Sequence, residues 1–383
     1  QIEKFGYSLE ARYLQLLGHD VPFPEDGYQG QDIADTMRVF IEQVGDKYVN
    51  VEPSLRREIF VKYALKVKLD KSKADLERFG VKYDTWFSEQ SLHDSGAVTE
   101  VINLLQQKDC LYEKDGALWI KGTVMGCEKD EVLVRANGIP TYFAADIAYH
   151  KNKFDRGFHR AIDIWGADHH GHVARMQGAM GALGYVPQNL QVILMQLVRL
   201  FQNGEILRMS KRTGTYVTLE ELMDDIGVDA ARFFFVMRSA DSQMDFDLDL
   251  AKKQSADNPV FYVQYAHARI CSIIRQCQEQ NVVIPEPEKI DFSLLKEESE
   301  EDLIRKMIDF PDEIAEAAKK CEPNRIATYS SELASLFHAF YTNCRCMGVE
   351  DNLRDARLAL IGATRVCLRN ALQIIGVSTP EKM

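Results

Sequence analysis

The sequence predicts an α/β chain in three parts: a helical segment over 1–75, an α/β domain over 76–257 and an all-helical domain over 258–383. Three observations predict it. Near the start, Ile59, Phe60, Tyr63, Ala64 and Val67 fall on one helix face. From about 80 to 220, short runs rich in β-branched and aromatic residues alternate with helical stretches, the pattern of a mostly parallel sheet with ligands at the carboxyl ends of its strands. After residue 258 the strand signal stops, and Leu333, Leu336, Phe337, Phe340 and Tyr341 fall at helical spacing.

Composition narrows the class. The 383 residues are 46% hydrophobic and 27% charged, an ordinary globular balance able to bury its own core. No apolar run approaches the ~18 residues of a membrane span. Eight cysteines without a Cys-x-x-Cys pair argue against a disulfide framework and a zinc ribbon, and suit a reducing, cytoplasmic setting. The net charge of −12 excludes a broadly basic coat, though not a local basic groove. The chain opens on Gln1-Ile2-Glu3-Lys4, unlike a signal peptide, and its lack of an initial Met points to a piece of something longer.

Along the chain, Pro22, Pro24, Gly27 and Gly30 mark an early loop. Lys68, Lys71 and Lys73 read as a solvated helix face. Strands are expected at Tyr83–Phe87, Ala117–Lys121, Val132–Arg135, Ala161–Trp165 and Leu190–Leu197, with turns at Asp115-Gly116 and Asn137-Gly138. Tyr142 is expected to end a strand-like run and Asp146 to open a helix. Asn281–Ser293, with Pro285 and Pro287, reads as a loop between helices, and Leu358–Ile375 as an amphipathic helix.

Three constellations could carry chemistry. Gly166-Ala167-Asp168-His169-His170-Gly171-His172 sits where a strand meets a helix, a place suited to close ligand approach and anion binding. There Asp168 could take ribose hydroxyls, and His169 and His172 phosphate or base. A capped helix with surface histidines is the plain alternative, and a metal site is disfavoured because histidines at i, i+1 and i+3 converge poorly. Met209-Ser210-Lys211-Arg212 with Thr213-Gly214-Thr215 suits a mobile loop that closes on polyphosphate. Tyr142-Phe143-Ala144-Ala145-Asp146 offers a phenol and a carboxylate, suited to a planar cation with a fork of donors. Asp245, Asp247 and Asp249 resemble the start of a calcium loop but lack its glycine and glutamate, and no P-loop or G-x-G-x-x-G is present.

These residues resemble bacterial arginyl-tRNA synthetase, of class I. Met209-Ser210-Lys211-Arg212 is similar to the KMSKS loop of that class. Trp165–Gly171, Thr141–His150, Asp84–Glu89 and Asn258–Arg269 resemble the arginine-specific family, and Asp355–Leu360 resembles part of its helical anticodon-binding domain. The resemblance runs over essentially the whole chain, in order. It implies the second part of a Rossmann-like nucleotide-binding domain with a helical insertion, then an all-α anticodon-binding domain. The HIGH signature of the class is not found, and Arg208 stands where the KMSKS pattern begins with Lys. The resemblance therefore implies a chain without the N-terminal RNA-binding domain and the first part of the catalytic fold, inactive alone.

The resemblance further implies a monomeric, cytoplasmic ligase that makes arginyl-adenylate from arginine and ATP, with Mg2+, and transfers the arginyl group to tRNA(Arg), which the first step also requires. Tyr142, Asp146 and His169 would hold arginine. Gly166, Asp168, His172, Met209, Ser210 and Lys211 would hold ATP, with Lys211 and Arg208 as the catalytic cations and no residue assigned to metal. Arg325, Arg345, Arg354 and Arg357 would meet tRNA, with Arg365 and Arg369 beside them, while Phe337, Phe340 and Tyr341 read as core. Two competing readings are a DHH-type metal-dependent phosphoesterase, prompted by Asp168-His169-His170, and a non-catalytic RNA-binding fragment.

Overall fold

The computed structural model describes residues 2–127, 129–207, 217–283 and 285–383. Their contacts divide them into two units, one made of 1–82, 199–238 and 245–383, the other of 83–198 and 239–244.

The first unit opens with helices α1 (Ile2–Leu16), α2 (Gln31–Val44) and α3 (Pro53–Arg78). Pro53 occupies the first turn of α3, where a missing N–H costs nothing, and Glu52 caps it by accepting from the Leu55 N–H at 3.0 Å. The three helices close on Leu9, Tyr13, Met37, Phe40 and Phe60. Tyr13 is fully buried, and its hydroxyl donates to the Gly45 carbonyl at 2.9 Å. Lys68 and Lys71 are ion-paired, Lys68 with Asp32 and Lys71 with Glu220, so that helix face is more than solvated.

The second unit follows with α4 (Gln90–Asp94), α5 (Ala97–Gln107), β1 (Leu111–Lys114), β2 (Ala117–Ile120), α6 (Gly122–Met125), β3 (Glu131–Val134), α7 (Tyr142–Asp155), β4 (Ala161–Gly166), α8 (His170–Leu183) and β5 (Leu190–Met195). β1, β2 and β3 form an antiparallel sheet, turned between β1 and β2 by Asp115 and Gly116, both at positive φ. β4 and β5 pair in parallel, from Ala161 opposite Leu190 to Gly166 opposite Met195. The core beneath them joins Val101 and Leu105 of α5, Ala144, Ile147 and Ala148 of α7, and Met176, Ala179 and Met180 of α8.

Tyr83–Phe87 is not a strand. Its aromatics pack instead, Phe87 against Tyr149 with ring centroids 4.6 Å apart. Helix α8 contains three glycines, each costing about 1 kcal/mol against alanine. Gly178 has a reason: a Cβ there would lie 2.0 Å from the Met125 carbonyl oxygen, so glycine is what lets α8 meet α6.

The chain continues with β6 (Val198–Gln202), β7 (Glu205–Ile206), α9 (Leu219–Ile226), α10 (Val228–Val236), β8 (Met244–Asp247) and α11 (Leu248–Lys252), which apart from Val198 and Met244 belong to the first unit. The sheet order is β7-β6-β8, and β6 pairs with β7 antiparallel, from Phe201 opposite Ile206 to Gln202 opposite Glu205. Asp245 pairs with Arg199 at 2.7 Å and Asp247 caps α11, which gives both aspartates structural work. Helices α12 (Pro259–Glu279), α13 (Glu298–Ile308), α14 (Phe310–Lys320), α15 (Asn324–Asn343) and α16 (Asp351–Ile374) complete the chain, around a core of Val263, Leu333, Phe337, Phe340, Ile361 and Leu368. Arg232 of α10 joins distant parts of this unit. It donates to the Phe79 carbonyl at 2.7 Å and to the Ile375 carbonyl at 3.0 Å, and so serves the C-terminal ends of α3 and α16 together. A Cβ at Gly376 would lie 2.5 Å from its guanidinium.

Candidate active site

Thr141 sets the position of α7. Its N–H donates to the Leu133 carbonyl and its hydroxyl to the Val132 carbonyl, both at 2.8 Å, which pins the helix start to β3. Tyr142 is therefore the first residue of a helix and not the end of a strand, and Asp146 lies inside that helix instead of capping it. Phe143, Ala144, Ile147 and Ala148 are buried. Tyr142, Asp146 and His150 recur every fourth residue, on a common face.

β4 delivers the other half of the site. It ends at Gly166, a single 3-10 turn spans Ala167–His169, and α8 begins at His170. A cavity of about 780 Å³ opens here, lined by Asp146, His150, Trp165, Gly166, His169 and His172 among others. The two sequence stretches meet directly, since His172 Nε2 lies 3.3 Å from Asp146 Oδ2. The His172 ring is flanked by Phe143 and Trp165, with centroids 5.4 and 5.3 Å away. The Asp146 side chain is 44% exposed, so its carboxylate can reach a ligand in the cavity.

Behind this face lies a group that sequence reasoning missed. The side chain of Asp163 on β4, 10% exposed, meets His150 Nε2 at 2.5 Å and Lys153 Nζ at 2.6 Å. Burial pushes its carboxyl up, but these two hydrogen bonds outweigh it and hold the carboxyl below the usual range. The signal available was the i, i+4, i+7 series Asp146, His150, Lys153, legible only once α7 is known to start at Tyr142.

Residues 32–272 match the family described as tRNA synthetases class I (R), catalytic domain, and residues 263–383 match the DALR anticodon binding domain. An arginine–tRNA ligase of Heliobacterium modesticaldum is 62% identical over the whole chain, which spans 69% of that relative's length. The relative from Moorella thermoacetica is 59% identical, with 68% of its length spanned. The chain belongs to the arginine–tRNA ligase family. A solved structure from Campylobacter jejuni carrying the arginyl-tRNA synthetase name superimposes with a TM-score of 0.89 at 31% identity, covering 100% of this chain and 82% of that one. The Thermus thermophilus arginyl-tRNA synthetase shares the fold, with a TM-score of 0.73 at 21% identity, over 98% of this chain and 74% of that one. Membership of the arginine–tRNA ligase family over the full chain leaves the phosphoesterase reading without support.

Within this ligase framework, Asp146, Gly166, His169 and His172 come together, and two other expected residues stand apart. Tyr142 is 69% exposed and does not line the cavity. The Asp168 side chain is 82% exposed and lies 3.8 Å from His169. Space at Gly166 is not critical, because a Cβ there would meet the exposed tip of Asp168. Arg208, Met209, Ser210 and Lys211 lie outside the described residues. The helix that follows them, α9, is secured by a capping box in which Thr218 and Glu221 bond each other's backbone N–H at 3.1 and 2.7 Å.

The helical-domain arginines differ among themselves. Arg345 is exposed. Arg325 pairs with Glu313 at 2.9 Å, and Arg354 with Asp355 at 2.8 Å. Arg357 is 7% exposed, and it donates to Glu300 at 2.6 Å and to the Arg345 carbonyl at 2.8 Å. It is a core residue that joins α16 to α13. Among the described residues, no helix is long and apolar enough to cross a membrane.

Proposed function

We propose that this protein works as an arginine–tRNA ligase. A carboxylate oxygen of arginine bonds to the α-phosphorus of ATP and pyrophosphate leaves. A terminal hydroxyl of tRNA(Arg) then attacks the carbonyl carbon and AMP leaves. The chain's part is positioning and charge stabilisation, with no covalent enzyme intermediate. The observation that carries this reading is the meeting of Asp146 and His172 at one cavity, in a chain whose whole length matches arginine–tRNA ligases.

In this reading Asp146, with His169, receives the guanidinium, each charge-assisted hydrogen bond contributing about 1.5–3 kcal/mol, while Tyr142 stands outside the cavity one turn before Asp146 on the same helix face. A site built for that fork leaves its carboxylate poorly paired when lysine enters, which gives selectivity without editing. Gly166 and His172 face adenosine, Met209 and Ser210 its phosphates, and Lys211 and Arg208 the developing charge, with Asp168 exposed beside His169. Among the described residues no group of three His, Cys, Asp or Glu could hold a metal. Magnesium in this reading travels with the ATP phosphates, as is usual for that ion. Arg345, Arg325 and Arg354 meet tRNA, and Arg357 serves through the fold. The functional boundaries fall near 75 and 257, with the anticodon-reading helices beyond.

The test is arginine-dependent ATP–pyrophosphate exchange with tRNA(Arg), in the full-length gene product. Asp146→Asn is expected to raise the arginine KM far more than the ATP KM. Equal effects on both would remove the guanidinium role.

A further inference from the structure

His150 is 3% exposed, and both of its ring nitrogens face acceptors. Nδ1 lies 2.7 Å from the Asp146 carbonyl oxygen and Nε2 lies 2.5 Å from Asp163 Oδ2. The other oxygen of Asp163 takes the Lys153 ammonium at 2.6 Å, which favours the carboxylate. His150, Asp163 and Lys153 thus form one hydrogen-bonded row that ties α7 to β4.

Asp146 is then held twice. Its carbonyl takes the His150 N–H, and its carboxylate meets His172. Both histidines lie against the Trp165 indole, His150 with ring centroids 6.2 Å away and His172 at 5.3 Å. The groups facing His150 are Asp163 and Trp165 from β4, and the Asp146 carbonyl and Tyr149 ring from α7, with Lys153 on the far oxygen of Asp163. His150 itself does not need to reach a ligand to matter, because it fixes the turn from which the Asp146 side chain hangs.

We propose that His150 is a positioning residue for arginine recognition: its buried ring bridges the α7 backbone at Asp146 and the Asp163 carboxylate of β4 and so sets where the Asp146 carboxylate points. The proposal rests on the reading of Asp146 as the guanidinium ligand. Supporting groups of this kind change affinity or activity by 10–100-fold when removed, in the metal sites where they are best measured.

The experiment uses the full-length gene product and its His150→Asn and Asp163→Asn variants. Asn keeps an amide donor close to the place of Nδ1 and gives up the bond to Asp163. The expected result is a rise of about tenfold in the arginine KM for both variants, with the ATP KM changed less than about twofold. An arginine KM left unchanged in both folded variants overturns the proposal. So does an equal change in both KM values accompanied by lost thermal stability, the mark of a merely structural residue. Wild-type protein without arginine-dependent exchange instead overturns the ligase reading, and the positioning role with it.

Discussion

The Glu300–Arg357 pair gives a sharp test of how the helical domain is held. The Glu300 side chain is fully buried and that of Arg357 is 9% exposed, with Nε 2.6 Å from Oε1. The same Glu300 side chain accepts the Glu297 N–H at 2.9 Å and closes the capping box of α13. Glu300→Gln keeps an acceptor for that cap and removes the charge, so it isolates the ion pair. Arg357 is left as an unpaired cation in a dry site, a situation that costs about 3–5 kcal/mol. Urea unfolding followed by helical circular dichroism measures it as a lower midpoint with an unchanged slope. The double variant Glu300→Leu with Arg357→Met is expected to recover most of the loss, because an apolar pair of similar volume needs no compensation. A Glu300→Gln midpoint within about 0.5 kcal/mol of wild type, the usual scatter of surface substitutions, would refute the reasoning. The pair also predicts that Arg357→Ala weakens tRNA binding only to the extent that it unfolds the domain.

Two further outcomes follow from packing and charge. Gly178→Ala is expected to destabilise by about 1–3 kcal/mol despite its better helix propensity, because the Met125 carbonyl oxygen stands 2.0 Å from the new Cβ and is backbone. Gly171→Ala on the same helix, with nothing within 4 Å, is the control and should gain up to about 1 kcal/mol; similar unfolding midpoints for the two would contradict the packing argument. The helical domain should also weaken in mild acid. Burial lowers both His267 and His338 from the ordinary 6.5, with backbone hydrogen bonds opposing it in part. As pH falls below about 6.5 the unfolded chain takes up protons that the folded chain refuses, so stability is full above that pH and is lost on the way down to the folded values. A urea midpoint that does not move between pH 7.5 and pH 5.5 would show that these rings are not held neutral.

Much of the fold was legible because its signals are local. The apolar series Leu333, Phe337 and Phe340 is fully buried in α15, and Asp115-Gly116 turns a hairpin. What escaped depended on distant partners. The sequence places Tyr142 at the end of a strand-like run, and only the bonds from Thr141 to Val132 and Leu133 settle that the helix starts there instead. Alternation does not reveal which strands share an edge: β4 and β5 pair in parallel as expected, whereas β1–β3 form an antiparallel sheet of their own. In the site, Asp146 and His172 could be paired on chemical grounds, whereas His150–Asp163 required knowing that α7 packs on β4. Arg357 looked like any basic residue of a helix. Its burial is decided by Glu300, 57 residues away.

The grip of Arg232 on the Phe79 and Ile375 carbonyls bears on how the chain could be dissected. The two family matches overlap over 263–272, within α12, which invites excision of everything beyond as a free-standing anticodon reader. Such a cut would carry off the Ile375 carbonyl and leave its guanidinium behind, and would bare the flank of α12 that α10 covers. An excised piece should therefore be sought with residues 227–238 kept, since what is consecutive in the gene is here not what is separable in space.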